Sequence, residues 1–198
     1  MNATLSSEIA AAAARLIVDE GLEYGPAKRK AARLLGQREG RAGSLPDNQA
    51  VEDEVRAYLA LFHADTQPAE LAALRALAAS WMERLAVFRP HLTGAVWRGT
   101  ATRMNNIHLE LYCDDSKAAE ISLIDHGVDY EVASHRRPGG ESIDMLLVSS
   151  PCPALREQVT VCLSILDHDD LRGALRADGR GQTERGDLAA LRRLTGPA

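Results

Sequence analysis

Aromatic residues are scarce in this sequence of 198 residues, which has two tryptophans, four tyrosines and two phenylalanines. Proteins that bind single-stranded nucleic acids usually stack bases on rows of aromatic side chains, and no such row is visible. Long apolar runs are also missing, because none approaches the roughly 20 residues that span a bilayer. We therefore predict no transmembrane helix and no membrane partner.

Cysteine is equally rare. The three cysteines, Cys113, Cys152 and Cys162, are an odd number and include no Cys-x-x-Cys pair, so neither a disulfide framework nor a zinc knuckle is predicted. The opening residues lack the basic segment and the cleavage site of an export signal. A cytoplasmic location is the expectation, and the sequence does not indicate an oligomeric state.

The net charge of -5 argues against a protein that binds nucleic acid over its whole surface. One stretch, Lys28 to Arg41, is strongly basic, with six basic residues against one acidic residue. Binding of RNA or another polyanion by this stretch is one interpretation. The favoured alternative is a solvated helix face that pairs with the acidic residues at 52–54. The basic residues are Lys28, Arg29, Lys30, Arg33, Arg38 and Arg41.

The spacing of apolar residues predicts two kinds of structure along the chain. Up to Pro90 the spacing is helical throughout, and beyond it the sequence alternates between strand and helix patterns, so we predict a helical region at 1–90 and an α+β domain at 91–198. The predicted helices of the first region are 6–20, 26–35, 47–63 and 66–88. In the second region the predicted strands are 92–98, 106–113, 128–134, 143–148 and 158–166, with helices at 116–126, 167–175 and 187–194.

The stretch 92–115 stands out within the second region. It reads as an apolar strand, a small-residue turn at Gly99 and Thr100, and a strand in which polar and apolar residues alternate. Because successive side chains of a strand point to opposite faces, one face is suited to a core and the other is polar. The apolar residues are Ile107, Leu109 and Leu111, and the polar ones are Asn106, His108, Glu110 and Tyr112.

The order Gly-Thr, short loop, Asn-Ile-His-Leu, helix and Val-Asp-Tyr-Glu-Val resembles the nucleotidyltransferase superfamily, which includes DNA polymerase beta, the CCA-adding enzymes and the small bacterial minimal nucleotidyltransferases. In that family a glycine and a small residue approach the triphosphate. Alternating carboxylates on the next strand, with a third from a later strand, hold two divalent metal ions. The resemblance implies a mixed-sheet palm, Mg²⁺ as cofactor and transfer of a nucleoside monophosphate from a nucleoside triphosphate to an acceptor.

Carried onto this sequence, the resemblance assigns roles to named residues. Asn106 and His108 occupy the two carboxylate positions, and Asp129 or Glu131 supplies the third carboxylate as metal ligand or base. Glu110 and Asp114 are also expected to lie near enough to form a partial acidic cluster with Asp129, with Asp129 and Glu110 as the metal ligands. The residues implied in nucleotide binding are Gly99 and Thr100, which hold phosphate, and Arg98 or Arg103, which neutralises it.

Two of these positions depart from the family pattern. Asn106 is neutral, and His108 is a poor ligand for magnesium, which prefers anionic oxygen. Two hypotheses follow: a nucleotidyltransferase with a degraded metal site, or a non-catalytic nucleotide- or protein-binding regulatory module with the same fold, a pseudoenzyme. A third is an unrelated interaction module that works through its helical half.

Simpler interpretations remain open for the same residues. Gly94, Gly99 and Thr100 are also typical of a tight hairpin. The polar residues at 106, 108 and 110 are equally compatible with a solvated sheet face. The run Asp167–Asp170 resembles a metal site, but a helix cap followed by first-turn charges explains it more simply.

Overall fold

A computed structural model describes residues 2–37, 45–136, 142–172, 175, 177 and 181–196. It has seven α-helices and one six-stranded mixed sheet in this part of the chain, which confirms the α+β class. The helices are α1 (Asn2–Glu20), α2 (Tyr24–Leu34), α3 (Asn48–Phe62), α4 (Gln67–Arg84), α5 (Gly94–Arg98), α6 (Ser116–Asp125) and α7 (Leu188–Thr195). The strands are β1 (His91–Thr93), β2 (Ile107–Tyr112), β3 (Glu131–Arg136), β4 (Ser142–Cys152), β5 (Glu157–Leu166) and β6 (Arg185–Gly186).

The chain forms two compact units. The helical unit comprises the chain up to Glu70 together with Thr100–Asn105, and the sheet unit comprises Leu71–Gly99 and the chain from Asn106 onward. The first strand begins close to the predicted boundary at residue 90. The sheet unit begins earlier in the chain than that boundary, at Leu71, because α4 from Leu71 onward has its contacts within the sheet unit.

Small residues build the core of the helical unit. Alanines on one face of α1 and of α2 are fully buried and let the two helices approach closely, while α3 adds branched apolar residues. Asp47 caps α3 by accepting a hydrogen bond from the Ala50 backbone N–H at 2.7 Å. The buried residues are Ile9, Ala10, Ala13, Ala14, Ile17, Val18, Ala27, Ala31, Ala32, Val51, Val55 and Leu59.

The sheet has the strand order β3-β4-β5-β2-β1-β6. Only the β2–β5 pair is parallel, and all other neighbours are antiparallel. One face, the core face, carries the alternating apolar side chains that the sequence of β2 predicts. The buried residues on this face are Leu92, Ile107, Leu109, Leu111, Leu146, Val148, Val161, Leu163 and Ile165.

Helices α4 and α6 cover the core face. Trp81 of α4 is buried and its indole N–H donates a hydrogen bond to the Ser150 hydroxyl of β4 at 2.9 Å. Ala119 and Leu123 of α6 are also buried. The opposite face, called here the polar face, carries His108 and Glu110 and is only partly buried.

The structure corrects the prediction of a strand at 92–98. The strand ends at Thr93, and Gly94–Arg98 form the short helix α5. Arg75 of α4 stabilises that helix from outside, since its guanidinium donates to the Val96 and Trp97 carbonyl oxygens at 3.1 Å each. Gly99 is the left-handed residue that ends α5, so it does not form the predicted hairpin turn.

Two further expectations concern capping and strand limits. Asp167 accepts a hydrogen bond from the Asp169 N–H at 2.8 Å, as the cap interpretation predicts, but the turn it starts is a 3-10 turn of four residues, His168–Leu171. Strand β3 begins at Glu131, later than predicted, so Asp129 lies in the segment before it. No helix in the described part of the chain combines the length and the apolar character that crossing a membrane requires.

Candidate functional site

A single row of paired residues crosses the whole polar face. The register of the strands aligns one residue from each strand, with His108 of β2 near the middle, Glu131 of β3 at one end and Arg185 of β6 at the other. From one edge to the other, the row is Glu131, Leu147, Cys162, His108, Thr93 and Arg185. Adjacent strands are about 4.8 Å apart, so His108 lies about 10 Å from Arg185 and about 14 Å from Glu131 along the row.

Gly94 contacts the central histidine of this row. It follows β1 directly and has a φ of 72°, a conformation that favours glycine. A Cβ atom at this position would lie 3.5 Å from Cδ2 of His108. The glycine beside the polar strand is therefore Gly94, followed by the small residue Ala95, and not Gly99.

A cluster of polar side chains occupies the β2–β6 end of the polar face. Arg185 Nη1 donates to Glu110 Oε2 at 2.6 Å, and the Tyr112 hydroxyl donates to the same oxygen at 2.7 Å. The ion pair is largely buried, with exposures of 18% for the Arg185 side chain and 15% for that of Glu110. His91 packs edge-on against Tyr112 with 5.3 Å between ring centroids. We call Glu110, Tyr112, His91 and Arg185 the Glu110 cluster.

The segment Thr183–Gly186 holds Arg185 in this position. The Trp97 indole N–H donates to the Thr183 carbonyl oxygen at 2.6 Å, and the Thr93 hydroxyl donates to the Glu184 carbonyl oxygen at 3.0 Å. Gly186 lies beneath the Trp97 ring so closely that a Cβ atom would be 2.1 Å from Cη2. Only glycine fits there, and the fit fixes the register that directs Arg185 to the polar face.

Burial and charge shift the pKa values of the cluster. Burial raises the pKa of Tyr112 to about 12; the hydrogen bond from Arg185 opposes this rise, and the charge of Glu110 adds to it. Burial alone would lower the pKa of Arg185, but Tyr112, Glu110 and Glu184 outweigh it and raise that pKa. The cluster therefore holds a neutral tyrosine and a charged guanidinium at neutral pH.

The other predicted acids lie at the opposite end of the polar face. Asp129 and Glu131 are exposed and line an open groove together with Thr160 of β5. Leu147, Ser149 and Tyr130 also line this groove, whose volume is about 280 Å³. Among the described residues that line the groove, none carries a positive charge to neutralise the two carboxylates, so this lining favours cationic rather than phosphate-bearing ligands.

The predicted metal ligands do not come together. Glu110 lies in the same row of paired residues as Ala133 of β3. Strands β5 and β4 lie between them, so Glu110 is about 14 Å from β3. Asp129 lies just before β3, so β4 and β5 separate it from β2, and the structure therefore does not bring Asn106, His108 and Asp129 into one cleft. In the described residues there is also no group of three or more His, Cys, Asp or Glu side chains that could hold a metal ion.

The four residues predicted to bind nucleotide divide between the two units. Arg98 and Gly99 belong to the sheet unit, where a Cβ atom at Gly99 would lie 3.4 Å from an Arg75 guanidinium nitrogen. Thr100 and Arg103 belong to the helical unit. Thr100 is 2% exposed, and the Arg103 backbone N–H donates to the Glu70 carboxylate at 3.0 Å.

The described part of the basic stretch, up to residue 37, is partly engaged within the helical unit. Lys28 donates to the Asn48 side-chain oxygen at 2.8 Å, and Lys30 pairs with Glu20 at 2.5 Å. Among the acidic residues at 52–54, which are the expected partners, Glu52 pairs with Arg56 of its own helix. Arg38 and Arg41 lie outside the described residues.

Sequence reasoning missed two residues of the candidate site. Arg185 is 75 positions from Glu110, and no local pattern links them. Gly94 could have been found from the sequence, because it is a glycine followed by a small residue within an apolar segment. Gly99 and Thr100 show the same pattern of a glycine followed by a small residue. In comparisons with known proteins, the sequence matched no family model and no curated protein.

Proposed function

We propose that this protein is a non-catalytic nucleotide-binding regulatory module with a nucleotidyltransferase-like sheet, and that it binds its ligand without a divalent metal. One observation carries the proposal: Glu110, the only carboxylate on β2, is already engaged by Arg185 and Tyr112. The alternating positions before it, Asn106 and His108, carry no negative charge at neutral pH.

Two features support the nucleotidyltransferase-like part of the proposal. Strands β1 and β2 are antiparallel neighbours, so the glycine turn and the polar strand are adjacent. Gly94 and Ala95 match the glycine and small-residue pair of that superfamily better than Gly99 and Thr100, because Gly94 directly follows β1 and contacts His108.

Magnesium does not fit the described residues. Two-metal catalysis needs several anionic oxygens that converge on both ions. Glu110 is paired with a guanidinium, while Asp129 and Glu131 lie three strands away from β2. The proposed ligand interaction therefore relies on side chains and backbone groups alone, and protein partners are an alternative ligand class for the same module.

The first experiment measures ATP binding by isothermal titration calorimetry, once with EDTA and once with excess Mg²⁺. We expect equal affinity under the two conditions, because no metal bridges protein and phosphate. Binding that requires Mg²⁺, or transfer of label from α-labelled nucleoside triphosphates to an acceptor, would instead favour the nucleotidyltransferase alternative.

A double variant, Asn106→Asp with His108→Asp, supplies the matched comparison. It places two carboxylates on the polar face beside Glu110, so we expect a measurable gain in Mg²⁺ affinity over the wild type. Equal Mg²⁺ affinity in the two proteins would remove the argument that these positions descend from metal ligands.

The same proposal includes a cellular location, an unreactive Cys113 thiol and a view of the basic stretch at 28–41. Cys113, Cys152 and Cys162 form no disulfides, which is usual in a reducing compartment, so the cytoplasm is the proposed location. Burial and the nearby charges of Asp115, Asp114 and Asp167 raise the pKa of Cys113, which disfavours a reactive thiolate. Polyanion binding by the 28–41 stretch stays a less favoured prediction.

A further inference from the structure

Arg185 leaves one edge of its guanidinium without a hydrogen bond. Nη1 donates hydrogen bonds to the Glu110 carboxylate and to the Tyr112 hydroxyl. Nε is buried and has no hydrogen-bond partner among the described residues, and Nη2 lies 3.6 Å from the Glu184 carboxylate, too far for a hydrogen bond. A buried donor left unsatisfied destabilises the fold, so a structure keeps one only where something else compensates.

The edge without hydrogen bonds has a specific chemistry. Nε and Nη2 of arginine form a planar fork that matches two oxygens of a phosphate or carboxylate. The Glu184 side chain, whose carboxylate lies 3.6 Å from Nη2, is 77% exposed, so a ligand can displace it at little cost. The backbone of Glu184 is itself held by Thr93, and the fork therefore keeps its direction when that side chain moves.

We propose that Arg185 is the phosphate-binding residue of the polar face and that Glu110 competes with the ligand phosphate for its charge. The inference rests on the proposed nucleotide-binding function and names the contact that this function uses. The ligand oxygens accept hydrogen bonds from Nε and Nη2, while Glu110 stays on Nη1. Glu110 lowers the affinity because it neutralises the guanidinium and repels the phosphate.

Position and charge favour this residue over other candidates. Arg185 lies two strands from His108 in the row that crosses the polar face, and Gly94 lies against that histidine. The groove at Asp129 and Glu131 is acidic and repels phosphate. Arg75 of α4 donates to two carbonyl oxygens of α5 and faces that helix.

The test relies on two variants with opposite expected effects. Arg185→Gln removes the fork, and we expect it to weaken ATP binding in EDTA about tenfold or more. Glu110→Gln keeps a hydrogen-bond acceptor for Arg185 but removes the competing charge, and we expect it to tighten binding about threefold to tenfold. A purely structural role of the ion pair predicts that both variants bind more weakly or unchanged.

Controls separate local effects from loss of fold. Arg192→Gln breaks an exposed ion pair with Glu83 elsewhere in the sheet unit and is expected to leave ATP affinity unchanged. Arg185→Lys retains the charge but not the fork, so it is expected to fold and to bind ATP several-fold more weakly than the wild type. Circular dichroism confirms the fold of each variant, and Arg185→Lys replaces Arg185→Gln if the latter does not fold.

The probes are ATP, inorganic pyrophosphate and adenosine, each titrated in EDTA. We expect the opposite shifts of the Arg185 and Glu110 variants for ATP and pyrophosphate and no shift for adenosine. If wild type binds ATP but Glu110→Gln binds no tighter, or the arginine variants bind equally well, the role of Arg185 is wrong while the proposed function stands. If neither ATP nor pyrophosphate binds to any variant, both proposals fail.

Discussion

The two ends of the polar face carry the same kind of residue in opposite settings. Glu110 is 15% exposed and accepts hydrogen bonds from an arginine and a tyrosine, whereas Glu131 is exposed and lines an open groove. Both acids belong to one sheet and face the same side. Their difference comes from Arg185, which a short C-terminal strand brings to one end only. The two residues are of the same type, so the paired arginine is what makes Glu110 part of a buried cluster while Glu131 stays in contact with solvent.

The largest effect is expected at Gly186, which keeps the Arg185 segment in place. Gly186→Ala puts a Cβ atom 2.1 Å from the Trp97 ring, so the segment or the indole must shift. We expect a loss of about 3 kcal/mol in the free energy of unfolding, measured in urea, because overpacked cores typically lose this much. The control Gly25→Ala lies in helix α2 beside the flexible Arg29 side chain and should be close to neutral, because the gain in helix propensity offsets crowding by the following Pro26 ring. Equal stability of the two variants would contradict the tight fit.

A smaller loss is expected when the ion pair is broken. Arg185→Gln leaves the partly buried Glu110 carboxylate with the Tyr112 hydroxyl as its remaining partner. We expect a destabilisation of about 1–2 kcal/mol, below the value for a fully buried pair because some solvent reaches both groups. In the double variant with Glu110→Gln the losses should not add, since both changes remove one interaction. Additive losses in urea unfolding would show that the two side chains act independently.

Alkaline pH is expected to weaken the same cluster. The pKa of Tyr112 is about 12 in the folded protein and about 10 when unfolded, so the folded state keeps its proton longer. This stabilisation is complete below pH 10 and is lost as the pH rises from about 10 to 12. Tyr112→Phe should remove that part of the pH dependence, measured as the urea midpoint between pH 9 and 12. An unchanged slope in this variant would assign the dependence to other groups.

The sequence predicted the elements whose signals are local. The alternation in β2 and the helices that begin near residues 47 and 187 are all found, because each depends on residues within a few positions. Helix α5 was wrongly predicted as a strand because Val96 and Trp97 are typical strand residues, and the stabilising Arg75 is more than 20 positions away. The Glu110–Arg185 pair is also a long-range contact, so neither the cluster nor its strand could be predicted locally.

The smallest effect is expected at the acidic end of the polar face. Asp129→Asn and Glu131→Gln change exposed carboxylates that no described cation pairs with, so we expect stability changes within about 0.5 kcal/mol. Their effect on ATP affinity in EDTA should be at most a weak tightening at low salt, because Glu131 lies about 14 Å from His108 and a Debye length of about 10 Å screens it at 0.1 M salt. Calorimetry at 0.02 and 0.2 M NaCl checks this. A loss of ATP binding in either variant would show that ATP binds at the Glu131 end of the polar face and not at Arg185. Glu131, and not Glu110, would then be the acid next to the ligand.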